Sequence, residues 1–126
     1  MILHTVWASK KILRGELWTA KMCVDAYLKN YLLKIIEMCS ESKNHVDVWH
    51  DGRFLDRWAE KEVLADLEKC FAHYDKKDII SALLSTEELF SRLASQTAAM
   101  KGYKYPKEAG DYDKVLLNGY FPLYFN

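Results

Sequence analysis

The sequence predicts an all-α fold, an antiparallel bundle of four to five helices. Apolar residues recur at steps of three and four over long stretches, as on one face of a helix. Only five Gly and two Pro occur in 126 residues, and no alternating strand pattern competes. Half of the residues are hydrophobic, which is enough for a chain of this length to bury a core. We therefore expect residues 1–126 to form one helical domain.

The first half of the chain predicts a short helix followed by a long one. Residues 3–13 form an apolar-rich helical segment, and Gly15 favours a break because glycine costs about 1 kcal/mol inside a helix. Residues 16–41 predict the clearest helix. Its apolar face is expected to carry Leu17, Ala20, Val24, Tyr27, Tyr31, Ile35 and Met38, widened by Leu28, Leu32 and Ile36. An opposite stripe is predicted to face outward with two i,i+4 ion pairs: Lys21, Asp25 and Lys29.

A loop and a third helix are predicted next. Residues 40–56 are rich in loop-forming residues, with a turn at His50-Asp51-Gly52. Residues 57–74 then predict a helix. His50 and Asp51, with His45 nearby, could suggest a metal site or a proton relay, but a surface turn accounts for them.

The last third of the chain predicts a further long helix. Asp78 is a suitable N-cap, and the helix should end before Tyr105-Pro106 because the residue preceding proline avoids the α region. The outward face is expected to carry Glu87, Glu88, Arg92 and Ser95. A short helix over residues 111–118 should follow, and residues 121–125 should pack back on the body.

Composition and charge exclude several function classes. Lys+Arg and Asp+Glu balance at 18 each, so no overall charge draws the chain to nucleic acid or an acidic membrane. Residues 1–7 are apolar but lack a signal-peptide cleavage site, and no uncharged apolar run approaches about 18 residues. We expect a cytoplasmic protein whose thiols are reduced and buried: Cys23, Cys39 and Cys70.

No metal site or general catalytic motif is predicted. His45 with His50, and Cys70 with His73, have ligand-like spacing but match no standard zinc box. Asp111 and Asp113 form only an isolated D-x-D in an expected surface segment. Motifs for nucleotide loops, nucleophile elbows, zinc proteases and calcium loops do not occur. An Arg followed four to six residues later by His, which HEPN ribonucleases carry, is also missing.

The densest polar cluster occupies residues 9–16. Lys10 and Arg14 are four residues apart, so a helix presents both cations on one face. Converging cations suit a triphosphate, whose charge must be neutralised during transfer. A solvated basic helix end has the same pattern. The aromatic side chains are expected in the core more than on a ligand platform, although one or two could line a sugar-binding face: Trp7, Trp18, Tyr27, Tyr31 and Trp58.

The segment from Trp7 to Lys21, WASKKILRGELWTAK, resembles a family segment that reads approximately YVAKGLWRDELxxAK. That segment belongs to the streptomycin-type aminoglycoside 6-adenylyltransferases. The resemblance continues through residues 31–37 and 52–55, and it returns at Leu89-Phe90 and Tyr103-Lys104-Tyr105-Pro106. It therefore covers nearly the whole chain.

This resemblance implies the C-terminal helical domain of a two-domain enzyme. The family's N-terminal nucleotidyltransferase domain holds Mg²⁺ with paired aspartates that follow a Gly-Ser turn. Its C-terminal bundle closes over ATP and the aminoglycoside, and AMP passes from ATP to a drug hydroxyl as pyrophosphate is released. No Gly-Ser turn with a following D-x-D occurs here. We therefore expect the N-terminal catalytic domain to be absent, and the chain alone to hold neither ATP nor Mg²⁺ and to be inactive.

The resemblance also implies roles for four residues. Lys10 and Arg14 match the family's basic positions and are expected to contact the phosphates of ATP. Glu16 matches an acidic position and is expected to meet the cationic drug or to orient Arg14, and Trp7 is expected on the drug side. No catalytic residue and no metal ligand is assigned. Lys11 and Gly15 depart from the family pattern, where a Gly and an acidic residue are usual.

Two alternative functions remain open. Wide apolar faces on the first two helical segments could serve a non-catalytic module that forms a homodimer or binds a partner protein. A nucleic-acid-acting bundle of the HEPN or toxin–antitoxin type is the other, and RNA cleavage would be decisive in its favour.

Overall fold

A computed structural model of the chain describes residues 1–48, 51–104 and 107–124. Within them the chain is helical without a strand, so the predicted all-α bundle is confirmed. His50, Tyr105-Pro106 and Phe125, on which parts of the predictions rest, lie outside the described residues. The α-helices are α1 Ile2–Leu13, α2 Leu17–Met22, α3 Leu28–Asn44, α4 Leu55–Trp58, α5 Lys61–Glu68, α6 Lys76–Met100 and α7 Lys107–Tyr120.

The predicted break after the first helix lies at Gly15. Its φ of +79° is in the left-handed region, which glycine adopts without a Cβ penalty. The N–H of Glu16 donates to the carbonyl of Lys11, and the N–H of Gly15 donates to that of Ile12. This pair of hydrogen bonds is a Schellman C-cap, and it ends α1 while satisfying its last carbonyls.

The long second helix contains a wide turn that the sequence does not announce. Cys23–Tyr27 is π-helical between α2 and α3, and the N–H of Leu28 donates to the carbonyl of Cys23 five residues earlier. The extra residue rotates the two halves of the helix relative to each other. Leu28, Leu32 and Ile36 are buried as predicted. The prediction that the buried face also carries Tyr27, Tyr31 and Met38 is wrong, because all three are exposed.

Lys29 lies inside the interface between α3 and α6, so its predicted outward position is wrong. Its Nζ donates to the Val24 carbonyl and to Thr86 Oγ1, both at 2.8 Å. The amine also lies 4.9 Å from the centre of the Phe71 ring. Burial lowers the pKa of Lys29 to about 8. The other predicted ion pair of this stripe, Lys21 with Asp25, is present.

We expect Lys29→Met to keep the free energy of unfolding at pH 7 or to raise it by about 1 kcal/mol. Methionine retains most of the packing volume and removes a buried charge. Lys29→Ala, which leaves a cavity, should instead lose about 2 kcal/mol. Urea unfolding of the two variants separates the effect of the lost side-chain volume on stability from the effect of the lost charge. Equal losses in both would mean that the ammonium itself stabilises the interface.

The prediction of one continuous helix over residues 57–74 is wrong. Ala59 and Glu60 adopt extended backbone angles between α4 and α5, and α5 ends at Glu68. The following segment is held by the long helix, because the N–H of Ala72 donates to Asp25 Oδ1 at 3.3 Å. Lys21 also donates to the Ala72 carbonyl. These hydrogen bonds hold Ala72, beyond the end of α5, against the long helix.

The N-cap of α6 is Asp75 rather than the predicted Asp78. The N–H of Asp78 donates to Asp75 Oδ2 at 3.0 Å, so the helix begins almost one turn earlier. The Asp78 carboxylate accepts from the backbone N–H of His73 instead. At the other end of the chain, α7 is longer than the predicted residues 111–118. Of the residues predicted to pack back on the body, Phe121 is buried, but Leu123 and Tyr124 are exposed, so the prediction is wrong for these two.

Glu87 is buried, so its predicted outward position on α6 is also wrong. The hydroxyl of Thr5 on α1 donates to its carboxyl group. Glu87 also shares a hydrogen bond with the carboxyl of Asp113 on α7, which requires a proton on one of the two groups. Burial raises the pKa of Glu87 to about 7 and raises that of Asp113 as well. Three helices therefore meet at the buried carboxyl group of Glu87.

The core consists of two apolar clusters along α6. One joins α6 to α1, the π-helical turn and α7, and the other joins it to α3 and α5. The three cysteines are free and buried, as expected. None of the helices that the structure describes combines the length and apolar content that a membrane span requires.

Candidate functional site

One face of α1 is exposed and carries three of the four residues predicted to act in binding. Leu3, Trp7, Lys10 and Arg14 follow each other at steps of four, three and four residues, which is the spacing of neighbours on a helix. The opposite face is buried against the bundle: Thr5, Ala8, Ser9 and Ile12. The helix is thus fixed by its buried side and presents a mixed aromatic and cationic side to solvent.

Lys10 and Arg14 form the cationic end of this face. The backbone N–H of Arg14 donates to the Lys10 carbonyl at 3.1 Å, so the helical geometry extends to the second cation. Both side chains are exposed. Among the described side chains of residues 1–48, 51–104 and 111–124, no carboxylate forms an ion pair with either of them. Two cations on one helix face are therefore available to an anionic ligand.

Glu16 is paired with Lys11 rather than with Arg14. The Nζ of Lys11 donates to both carboxylate oxygens, at 3.1 and 3.2 Å. The same Nζ lies 5.6 Å from the centre of the Trp7 ring, so Lys11 links the acidic group to the aromatic one. The Glu16 side chain remains 44% exposed, which leaves its carboxylate accessible to a second cation.

An aromatic groove lies beside the exposed face. It has a volume of about 400 Å³ and is lined by Leu3, His4, Trp7 and Tyr27. The ring of Tyr31 lies 5.4 Å from that of His4 and extends the aromatic wall. The Nδ1 atom of His4 is buried and has no hydrogen-bond partner among the described residues. Hereafter the name aromatic groove refers to Leu3, His4, Trp7 and Tyr27, and it does not include Tyr31.

The expectation that the aromatic side chains are mostly in the core is wrong. Trp7, Trp18, Tyr27 and Tyr31 are exposed, and only Trp58 is half-buried, with its indole N–H donating to the Arg53 carbonyl. His4 also lines the groove, although it was not among the predicted site residues. The available signal was its position three residues before Trp7, where a polar side chain interrupts an apolar run.

The described residues contain no group of three or more His, Cys, Asp or Glu side chains that could hold a metal ion. Asp111 is exposed on α7. Asp113 interacts with Glu87 and does not form a site with Asp111. His45 and Asp51 are exposed in the loop after α3. The ligand sets that this part of the chain presents therefore do not fit a divalent cation.

A family model described as streptomycin adenylyltransferase matches residues 3–116. The chain belongs to the streptomycin adenylyltransferase family. No curated protein and no solved structure gives a significant match. The matched range includes the whole exposed face of α1 and the aromatic groove.

The two exposed cations, Lys10 and Arg14, match in charge the phosphate groups that the family resemblance assigns to them. Lysine and arginine side chains stabilise charge that develops on transferring phosphoryl groups. The Mg²⁺ that the family resemblance implies has no fitting set of ligands among the described residues.

Proposed function

We propose that this chain is the helical C-terminal half of an aminoglycoside adenylyltransferase. Joined to a nucleotidyltransferase domain that holds Mg²⁺, it would transfer AMP from ATP to a hydroxyl of streptomycin or a related cationic sugar, in the cytoplasm, and so confer antibiotic resistance. The observation that carries the proposal is the family match over residues 3–116, which includes two unpaired cations on one face of α1.

In this reaction Lys10, Arg14 and Glu16 would each have a role. The acceptor oxygen attacks the α-phosphorus of ATP, the bond from that phosphorus to the bridging oxygen breaks, and pyrophosphate leaves. Lys10 and Arg14 would neutralise the charge that grows on the leaving group. Glu16, which stays partly exposed beside Lys11, would attract an amino or guanidino group of the drug. The acceptor's proton would be taken by a group of the other domain or by solvent.

The test uses the chain fused to a nucleotidyltransferase domain of the same family, with ATP, Mg²⁺ and streptomycin. We expect Lys10→Ala and Arg14→Ala each to lower kcat for pyrophosphate release by about tenfold to a hundredfold, because each removes one cation that neutralises the leaving group. Lys61→Ala, which removes an exposed lysine on α5, is the matched control and should change kcat little.

Two outcomes would contradict the proposal. Robust pyrophosphate release by the unfused chain would show that no second domain is needed. Full activity of the fused Lys10→Ala and Arg14→Ala variants would remove these residues from the phosphate site.

A second candidate function is a non-catalytic module that forms a homodimer or binds a partner protein. The exposed aromatic side chains favour it, because Trp7 on α1, Trp18 on α2 and Tyr27 in the π-helical turn are each at least 41% exposed. Light scattering of the purified chain measures its mass. A strict monomer that also binds no nucleotidyltransferase domain would exclude this candidate.

A further inference from the structure

We propose that Arg53, Phe54 and Arg57 form a second anion site, which binds inorganic phosphate or a small phosphate monoester. Two of these residues precede α4 and the third lies within it. Through Leu55 and Trp58, α4 packs against the core cluster that α6 shares with α3 and α5, whereas α1 belongs to the other cluster. The inference therefore goes beyond the proposed function, since it concerns a different part of the bundle from the cationic end of α1.

Both guanidinium groups of this segment lie over one aromatic ring. The Cζ atom of Arg53 is 4.9 Å from the centre of the Phe54 ring, and the Cζ atom of Arg57 is 4.4 Å from it. Such cation–π contacts restrict the position of a guanidinium group, while its N–H groups remain able to donate to a ligand. The ring thus holds two sets of donors close to each other before any ligand binds.

The positive charge of the two arginines is not balanced by an ion pair. Arg53, Phe54 and Arg57 are all exposed. Asp51 and Asp56 are close in sequence, but among the side chains that the structure describes no carboxylate forms an ion pair with either arginine. An anion from solution can therefore approach both guanidinium groups.

The backbone fixes Phe54 in a strained conformation. Its φ of +60° lies in the left-handed region, which a bulky side chain rarely adopts. The N–H of Arg57 donates to the Phe54 carbonyl at 2.8 Å, and the indole N–H of Trp58 donates to the Arg53 carbonyl at 3.1 Å. Core packing does not explain the strain, because the Phe54 side chain is 50% exposed. Strain of this kind is typical of residues that position a ligand.

Charge favours a phosphate monoester over a carboxylate or a phosphodiester as the ligand. Above its second pKa of about 6, a monoester carries close to two negative charges and offers three acceptor oxygens. Two guanidinium groups can then each donate a pair of hydrogen bonds to one phosphate. A carboxylate or a phosphodiester carries a single charge, so it would neutralise only one of the two arginines.

The test titrates the whole chain with inorganic phosphate, glycerol phosphate or acetate at pH 8 and fixed ionic strength. NMR follows the backbone N–H signals of residues 53–58 and the Nε–H signals of the arginines, so binding here is measured separately from binding at α1. We expect both phosphates to shift these signals and to bind about tenfold more tightly than acetate. The tighter of the two phosphates shows whether the ligand is free phosphate or a monoester.

Substitutions identify the groups that bind. Arg53→Gln and Arg57→Gln should each weaken phosphate binding about tenfold, because each removes one set of charged donors. Phe54→Leu keeps both charges and should weaken binding about threefold, because the guanidinium groups lose the ring that positions them. Lys61→Gln, which removes an exposed cation from the neighbouring helix α5, is the matched control and should leave the affinity unchanged.

Three results would overturn the inference. The first is that phosphate causes no saturable shift of the signals of residues 53–58. The second is equal affinity for acetate and phosphate, which would mean that the two arginines do not act together on one dianion. The third is an equal loss of affinity in Lys61→Gln and in the arginine variants, with unchanged circular dichroism spectra, because binding would then depend only on overall charge. None of these results bears on the proposed function, which the fused-enzyme assay decides separately.

Discussion

Glu87→Gln should raise the free energy of unfolding at pH 8 by about 2 kcal/mol and leave it nearly unchanged at pH 4. Burial raises the pKa of Glu87 from 4.5 to about 7, so the folded chain keeps a proton that the unfolded chain releases. The contribution of this bound proton to the free energy of unfolding is complete below pH 4.5 and is lost as the pH rises through 7. Glutamine has similar size and no ionisable proton, and its amide can still bond Thr5 and Asp113.

Urea unfolding followed by circular dichroism at the two pH values measures this difference. At each pH the free energy of unfolding of the variant is compared with that of the unsubstituted chain. This difference cancels the pH dependence that comes from groups other than Glu87 and its contacts. Glu88→Gln removes the neighbouring carboxyl from the exposed side of α6 and is the matched control. If Glu87→Gln and Glu88→Gln shifted stability equally at pH 8, the buried carboxyl contact would not exist in solution.

Leu83→Ala should lower the free energy of unfolding by about 2–5 kcal/mol. Leu83 is fully buried on α6, in the cluster that joins this helix to α1, the π-helical turn and α7. Truncation removes apolar contacts and leaves a cavity that the surrounding helices fill only partly. Because small domains are stable by about 5–15 kcal/mol, this single change could leave a large fraction of the chain unfolded at 37 °C.

The comparison for this substitution is Leu123→Ala, at a leucine that is 84% exposed. Surface substitutions of this kind change stability by about 0.5 kcal/mol or less. The midpoint of thermal unfolding reports both variants under one set of conditions. Similar midpoints for the two would mean that Leu83 is not in a packed core.

Features that depend on local sequence could be predicted. The helical spacing of apolar residues predicted α1 and most of α6, and the lone Gly15 predicted the break, because only glycine adopts its backbone angle without penalty. The common face of Lys10 and Arg14 also followed from their separation of four residues. These features need no knowledge of the rest of the fold.

Features that depend on distant partners could not be predicted. Helical periodicity assigned Glu87 and Lys29 to outward faces, yet their partners Thr5 and Thr86 lie 82 and 57 residues away. A buried polar side chain is stable only beside such a partner, which periodicity does not identify. The aromatic groove depends in turn on Tyr27, whose direction is set by the π-helical turn.

That turn has a consequence for how relatives of this chain are compared. Five residues, Cys23–Tyr27, span a turn that four would span in a regular helix. A relative with a regular helix here would align correctly only with a one-residue gap between Met22 and Leu28. An ungapped alignment would shift every position on one side of the turn and match solvent-facing residues with core residues. Residue roles transferred through it would then be misassigned by about 100° around the helix axis.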